Sequence, residues 1–262
     1  MRLVTWNVLW RFAPNWRARE AAILRVLDEL KPDVVALQEC WNAPGRGSQA
    51  DVIADNWGMF AAYLAPSLPP VPEPVETSDQ AGIEMGVGLV TRWPIRAIRR
   101  HDLPVSHRQI PPAALEARID HPETPFEVIV AATEWEPAFA DDHLAQTSAL
   151  AQLLAAPSSV PRFLLADLNC DASQAEFAPL ATGTIADTWE LGRGDARTMT
   201  LSSAVPFAPK EAVKEMDRRI DHILVADATS VEVSETFVVD SPSHGVYPSD
   251  HFPVVADVRI VR

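Results

Sequence analysis

Apolar residues fall mostly in short continuous runs broken by polar turns, with two stretches at helical spacing. From Asn15 to Leu30, Ile23, Val26, Leu27 and Leu30 recur on one helical face, and Lys31-Pro32 stops the pattern. From Asp141 to Ala156, Leu144, Ala151 and Leu154 mark a second helix, with Asp141 as its expected cap and Pro157 as its end. The short runs predict strands at Leu3 to Val8, Val34 to Gln38, Gly86 to Thr91, Leu115 to Ile119 and Phe126 to Ala131. Others follow at Phe163 to Ala166, Ile220 to Val225, Val231 to Val239 and Val254 to Ile260. Unbroken apolar runs indicate strands covered on both faces.

Two of these strands read alike. Pro32 to Cys40 and Pro161 to Cys170 each follow an amphipathic helix and end in a carboxylate, an amide and a cysteine, one residue out of register. Two such halves would pack sheet on sheet with helices outside. Between them, Ala65 to Glu76 holds Pro66, Pro69, Pro70, Pro72 and Pro74. Prolines this dense remove donors and fix φ, so an extended loop is expected, either a plain connection or a cleft wall.

A chain of 262 residues, 47% hydrophobic, can bury a large core, and we expect one α/β domain over residues 1–262. Its formal charge is −14, from 36 acidic and 22 basic residues. That balance disfavours a general nucleic-acid binder, which needs cations against phosphates. The main basic cluster, Arg92, Arg96, Arg99, Arg100 and Arg108, reads as a solvated hairpin. No apolar run reaches a membrane-spanning length, and the start at Met1 lacks a signal-peptide pattern. Two cysteines, Cys40 and Cys170, make no disulfide framework; packed thiols and a cytoplasmic setting are expected, with a bridge as the alternative.

Five segments carry acidic or amide groups where a strand should be apolar: Trp6-Asn7, Gln38-Glu39, Asp167-Leu168-Asn169, Arg219-Ile220-Asp221 and Ser249-Asp250-His251. Burying such groups is costly unless they pair or hold a cation. Oxygen donors without thiolates or a histidine cluster suit Mg²⁺ or Mn²⁺. Glu39 is the best ligand candidate, with Asn7 and Asp250 beside the metal, directly or through water. Asp167 can accept a proton from water, and Asn169, two residues on along an extended strand, would point the same way. His251, held by Asp221, can face negative charge developing at phosphorus. Each residue also has a structural explanation. Asn7 and the Asp167–Asn169 pair suit turns, Glu39 the surface, Asp221 an ion pair with Arg218 or Arg219, and His251 a packed histidine. Taken singly these explanations are the stronger; taken together in this order, the site is.

The six segments Thr5-Trp6-Asn7, Ala36 to Glu39, Gly86 to Ile95, Ala166 to Asn169, Arg219 to Ile223 and Ser249 to Val254 together resemble the endonuclease/exonuclease/phosphatase superfamily. The resemblance spans nearly the whole chain. It implies a four-layer α/β sandwich and Mg²⁺- or Mn²⁺-dependent phosphoester hydrolysis. By it, Glu39 is the principal metal ligand, Asn7 and Asp250 are its neighbours, and Asp167 activates water beside Asn169. Asp221 and His251 then face the phosphate, and Asn169 and His251 also bind substrate. The implied substrate is a phosphoester, small or lipid-like rather than nucleic acid, with a nuclease or a catalytically weakened binding member as alternatives.

Two positions depart from the family pattern. Relatives carry a histidine after the central strand, where this chain offers Ala132, Thr133 or Glu134 according to register. Either His143, His244 or a cluster arginine replaces it, or the enzyme is weakened, specialised or mutated; the glutamine of the following helix is present as Gln146. The acid that abasic-site endonucleases place two residues beyond the first Asn is here Leu9. Nearby Trp10, Phe12, Trp16 and Trp41 are either cleft wall or core, and core is expected. No Gly-x-Ser-x-Gly elbow supports a serine hydrolase.

Overall fold

The longest apolar runs become the central strands of two sheets. The structure is a computed structural model and describes residues 1–261. One sheet contains β1 (Arg2–Asn7), β2 (Val34–Ala43), β3 (Gly47–Ser48), β4 (Phe60–Leu64), β5 (Glu84–Thr91), β12 (Val231–Val238) and β13 (Val254–Ile260). The other contains β6 (Ile95–Asp102), β7 (Ala113–Ile119), β8 (Phe126–Ala132), β9 (Arg162–Asp167), β10 (Ala186–Asp187) and β11 (Asp221–Val225). Their orders are β12-β13-β1-β2-β5-β4, with β3 on β2, and β10-β11-β9-β8-β7-β6. Four α-helices accompany them: α1 (Trp16–Leu30), α2 (Gln49–Trp57), α3 (Ala140–Ala155) and α4 (Thr188–Leu191).

The repeat seen along the chain has a spatial counterpart. Each sheet has one parallel pair, β1 with β2 across α1 and β8 with β9 across α3; the other named pairings are antiparallel. Between the sheets lie Leu3, Ala36, Leu115, Val128, Phe163, Ile223 and Val254. On the outer face of the first sheet, Val4, Trp6, Val35 and Leu37 meet Ile23, Val26 and Leu27 of α1 and Ile53 of α2. On the outer face of the second, Ile129, Leu164 and Ala166 meet Leu150 and Leu154 of α3. Successive residues of β1 and β2 therefore enter different apolar layers, which hides the strand period of two and produces continuous runs. The result is the expected four-layer α/β sandwich.

Several local expectations change. Asp141 does not cap α3: the helix starts at Ala140, and Phe139 stands at the cap without a side-chain hydrogen bond. Asp141 and Asp142 lie in the first turn, where their charge suits the helix dipole. Helix α2 was not evident, although Ser48 and Asp51 close a reciprocal capping box at its start. Strands β4 and β6 were also missed, because one is short and alanine-rich and the other is a polar edge. After Arg92-Trp93-Pro94 carries the chain from one sheet to the other, Arg96, Arg99 and Arg100 lie on the solvent-exposed strand of the antiparallel β6–β7 pair, with Arg108 in the connection between its strands. On edge strand β6, Arg99 pairs with Glu116 at 3.5 Å and Arg100 with Asp102 at 2.6 Å, and Arg96 pairs with Asp120. Charges along an open edge discourage strand addition.

Cys40 and Cys170 are both free and buried, in the outer layers of opposite sheets, so no bridge joins them. Burial pushes the Cys40 thiol up to about 12. Among the described residues, no helix is long and apolar enough to cross a membrane. At Gly86 a Cβ would sit 2.1 Å from the Leu64 carbonyl oxygen of the neighbouring strand. Gly86→Ala should therefore lower stability by about 1–3 kcal/mol, read as a shifted urea midpoint at unchanged slope.

Candidate active site

Strand ends deliver the polar residues to one edge of the sandwich. Strand β1 ends at Asn7. The pairing of β2 with β5 slips between Leu37 and Cys40, and within that slip Glu39 takes a left-handed φ of 51°. Strand β9 ends at Asp167, directly across from Asp221, the first residue of β11. The loop before β13 supplies Ser249, Asp250 and His251. Strand β1 packs against β9 and β11 across the sandwich, so these ends converge. Asn169 lies beyond β9 and has a φ of 48°. It is not extended, which corrects the expectation that it parallels Asp167; its position two residues after the strand matches that of Glu39 after Leu37.

Asn7 joins the two halves. Its Nδ2 donates to Glu39 Oε1 and to Asp167 Oδ2, each at 2.9 Å, and its Oδ1 accepts from the Leu9 amide at 2.9 Å. Oriented this way, Asn7 offers the carboxylates donors and keeps its oxygen on the backbone. Asp167 Oδ1 accepts from the Asn169 amide at 3.1 Å. The Asn169 side chain donates instead to the Thr133 carbonyl at 2.9 Å, tying the ends of β8 and β9 together. His251 Nδ1 lies 2.9 Å from Asp221 Oδ2. Trp6 Nε1 donates to the His251 carbonyl at 2.9 Å, and Ser249 Oγ donates to the Asn7 carbonyl at 2.7 Å, fixing the last loop against β1.

The electrostatics are strained by burial. Glu39, Asp167, Asp221 and Asp250 are all buried, and His251 is the cation among them. Burial, and then the charge of Asp250, pushes the Glu39 carboxyl up to about 8. Burial, and then Asp221, pushes Asp167 up to about 7, while His251 and Asn7 pull the other way. Burial also raises Asp250. Burial alone would lower His251, but Asp221 and Asp167 outweigh it and hold the imidazolium well above its ordinary value. Glu39 Oε2 and Asp221 Oδ1 have no hydrogen-bond partner. Four carboxylates facing one imidazolium, with orphaned oxygens among them, are what a hard divalent cation would relieve.

A cleft of about 610 Å³ opens over this cluster. Asn7, Glu39, Asp167, Asn169, Asp250 and His251 line it, while Asp221 does not and supports His251 from behind. Its walls include Phe12, Leu68, Pro70, Trp135, Phe207 and Pro209, so the proline-rich loop is a wall. Of the other aromatics, Trp10 and Trp41 pack with Met85 in a separate small core, and Trp16 rests edge-on against Trp41.

The endonuclease/exonuclease/phosphatase family model matches residues 4–251. The chain belongs to that family. No curated protein matches it in sequence. Among solved structures it is similar to an endonuclease/exonuclease/phosphatase family protein from Leptotrichia buccalis, at 16% identity and a TM-score of 0.76, covering 99% of this chain and 100% of that one. It is similar to the human Nocturnin catalytic domain with bound sulfate, at 18% identity and a TM-score of 0.77, over 100% of this chain and 94% of that one. It is also similar to D. rerio TDP2 complexed with a single-strand DNA product, at 16% identity and a TM-score of 0.73, over 99% and 98%. At these identities the likeness speaks for fold. The family includes metal-dependent phosphoesterases and nucleases.

Of the three positions at which the family resemblance expects a histidine, Ala132 is the last residue of β8 and the in-register partner of Asp167. Neither Ala132, Thr133 nor Glu134 lines the cleft, and Glu134 turns to Arg108 and His107. The expected substitutes do not arrive. His143 is buried 2.8 Å from the Leu168 carbonyl, and neither it, His244 nor any arginine lines the cleft. Gln146 accepts from the Glu134 amide at 2.7 Å and so shapes the turn after β8.

One supporting residue escaped the sequence reading. Arg19 is 2% exposed, and its guanidinium donates to four carbonyls, those of Val8, Leu9, Trp10 and Pro248, at 2.9–3.1 Å. It clamps the loop after Asn7 to the loop before Asp250. The signal was available: Arg19 sits four residues before Ile23, on the apolar stripe of α1. Arg19→Lys cannot reproduce the fork, and we expect a loss of about 2–4 kcal/mol in denaturant unfolding together with a smaller Mg²⁺-induced rise in melting temperature.

Proposed function

We propose that the protein hydrolyses phosphodiesters or phosphomonoesters with Mg²⁺ or Mn²⁺, acting on a small or lipid-like substrate. The observation that carries this reading is the buried meeting of Asn7, Glu39, Asp167, Asp250 and the Asp221–His251 pair at one cleft floor. In this reading Glu39 holds the metal through its partnerless Oε2, with Asp250 beside it and Asn7 fixing the carboxylates. Asp167, Asp221 and His251 also bring ligand atoms within 4.8 Å of one another. We assign that set to proton and charge handling instead, because His251 Nδ1 is committed to Asp221 and the charges of Asp221 and Asp167 keep the ring protonated against the pull of burial.

Asp167 is placed to take a proton from water at neutral pH, since its affinity for that proton lies near the working range. His251, steadied by Asp221, presents an imidazolium N–H to oxygens gaining charge at phosphorus, and Asn169 shapes the same wall. When bound, the divalent ion would polarise the phosphoryl group and stabilise the leaving oxygen. The lack of a histidine at Ala132, Thr133 or Glu134 removes one donor, at a cost of about 10²–10³ in rate by analogy with other oxyanion donors. That absence also motivates the alternative of a member that binds a phosphorylated ligand without turnover.

Hydrolysis of chromogenic phosphodiesters and monoesters is expected with Mg²⁺ or Mn²⁺ and not with EDTA. Tight Mg²⁺ binding with no turnover of any phosphoester would favour the binding alternative. Cleavage of DNA or RNA faster than small esters, across a salt series, would favour a nuclease; the lack of lysine and arginine among the cleft-lining residues argues against that outcome.

A further inference from the structure

A site for phosphoesters is ordinarily rimmed with cations, yet this cleft is rimmed with acids. Beyond the catalytic cluster, Glu76, Glu136, Glu211 and Glu215 line it, and no lysine or arginine does. Glu215 stands apart from the other three. Its side chain is 1% exposed, and neither carboxylate oxygen has a hydrogen-bond partner. Burial raises its carboxyl, although its own backbone N–H and the nearby Lys214 and Arg218 pull the other way. Both of those cations are engaged elsewhere, Lys214 with Glu176 and Arg218 with Asp171. A buried carboxylate without donors is costly, and a ligand that brings donors removes the cost.

Resting on the phosphoesterase reading above, we propose that the Glu215 wall is a subsite for a primary ammonium group carried on the alkyl portion of the phosphoester. Ammonium supplies the N–H donors that the orphaned oxygens lack, and brings its charge into direct contact with them. A second metal ion fits less well. Among the described residues, the one set of three ligating His, Cys, Asp or Glu side chains close enough to share an ion is Asp167, Asp221 and His251, and it excludes Glu215. The apolar walls at Phe207, Pro209 and Ala212 would cover the methylenes between phosphate and ammonium. Net acidity at the rim then selects against polyanionic substrates and for zwitterionic ones.

The test is calorimetric binding of non-hydrolysable phosphonates in the presence of Mg²⁺. Aminoethylphosphonate and aminopropylphosphonate are each compared with the isosteric propylphosphonate and butylphosphonate. We expect at least one ammonium probe to bind about tenfold more tightly than its isostere, and Glu215→Gln to bring that ratio to about one. Should Glu215→Gln fail to fold by its melting profile, Glu215→Asp, which withdraws the carboxylate by one methylene, is used in its place. Equal binding of every pair by the wild-type protein, or no binding of any ammonium probe, overturns the proposal; so does a preference that survives in a folded Glu215 variant. Because no turnover is required, failure of the hydrolase reading shows separately, as a chromogenic ester left intact while the ammonium preference persists.

Discussion

Asp167→Asn should lower kcat on a chromogenic phosphoester by roughly 10³–10⁴ while the protein still folds and still gains thermal stability from Mg²⁺. The substitution is nearly isosteric and removes the basicity that accepts a proton from water. It also costs one hydrogen bond, because Asp167 Oδ2 accepts from Asn7 and Oδ1 from the Asn169 amide, and an asparagine can satisfy only one of these through its oxygen. The other donor loses its acceptor, while a buried carboxylate that burial and Asp221 disfavour is neutralised. These effects oppose each other, so the melting temperature should move by only a few degrees. Measuring kcat, KM and the Mg²⁺-induced melting shift on the same preparation separates the cases. A variant that keeps more than about a tenth of wild-type kcat would remove Asp167 from proton transfer, whatever its stability.

The second large effect concerns Glu39 in the metal-free protein. In EDTA, stability should decline as pH rises from about 5 to about 8, and Mg²⁺ should restore it most strongly at the upper end. The direction follows from the shifts. Glu39 has an ordinary value of 4.5 and is pushed up to about 8 in the fold, so the folded state keeps a proton that the unfolded chain gives up. Below 4.5 both states are protonated and nothing is lost; above it, ionisation increasingly disfavours the fold. A shift of this size corresponds to about 3–6 kcal/mol, and in a chain of this length to a melting change on the order of 10 °C. Asp167 acts in the same direction but shares its repulsion with neighbours, so the two effects do not add fully. His251 adds to the decline at higher pH, because its raised value gives stability below 6.5 that is lost as pH passes through the folded value. Glu39→Gln should flatten the slope between pH 5 and 8 and abolish the Mg²⁺ rescue. A slope unchanged in that variant would show that the penalty resides elsewhere.

The variants differ in what they test. Gly86→Ala probes the close approach of β5 to β4, at the position that pairs with Cys40 next to Glu39. Arg19→Lys probes the clamp between two loops, and the Asp167 and Glu39 variants probe the floor itself. An Arg19 phenotype confined to stability would separate the clamp from the metal seat, since Arg19 touches backbone carbonyls and no site side chain.

Much of this architecture was readable along the chain. The runs at Leu3 to Val8, Val34 to Gln38 and Phe163 to Ala166 are apolar at most residues that meet the inter-sheet core or a helix layer, so burial on both faces was written into them. The candidate site residues stood out for the opposite reason: Asn7, Glu39, Asp167, Asp221, Asp250 and His251 interrupt or end those runs with groups that burial penalises. Where such groups recur at strand ends, chemistry is the economical explanation. Composition also registered the shortage of cations, and the cleft carries that shortage to its rim.

Other features depend on neighbours remote in sequence. The left-handed turns at Glu39 and Asn169 arise where a strand slips in register or ends, and a local pattern that treats the segment as extended cannot show them. Nothing near Asn7 announces that its amide nitrogen spans two carboxylates, 32 and 160 residues away. Edge strand β6 shows no apolar alternation because residues on both of its faces meet solvent, and its arginines guard the unpaired edge. Glu215 looks like any surface glutamate in the sequence. Only the packed loop that buries it, and denies it a partner, makes its charge a question that a ligand can answer. Local preference determined which segments are strands and which positions resist burial, because both follow from the transfer of side chains out of water; which of the resistant positions meet, and in what orientation, was decided by tertiary packing, because hydrogen bonds and charge pairs act only at contact range.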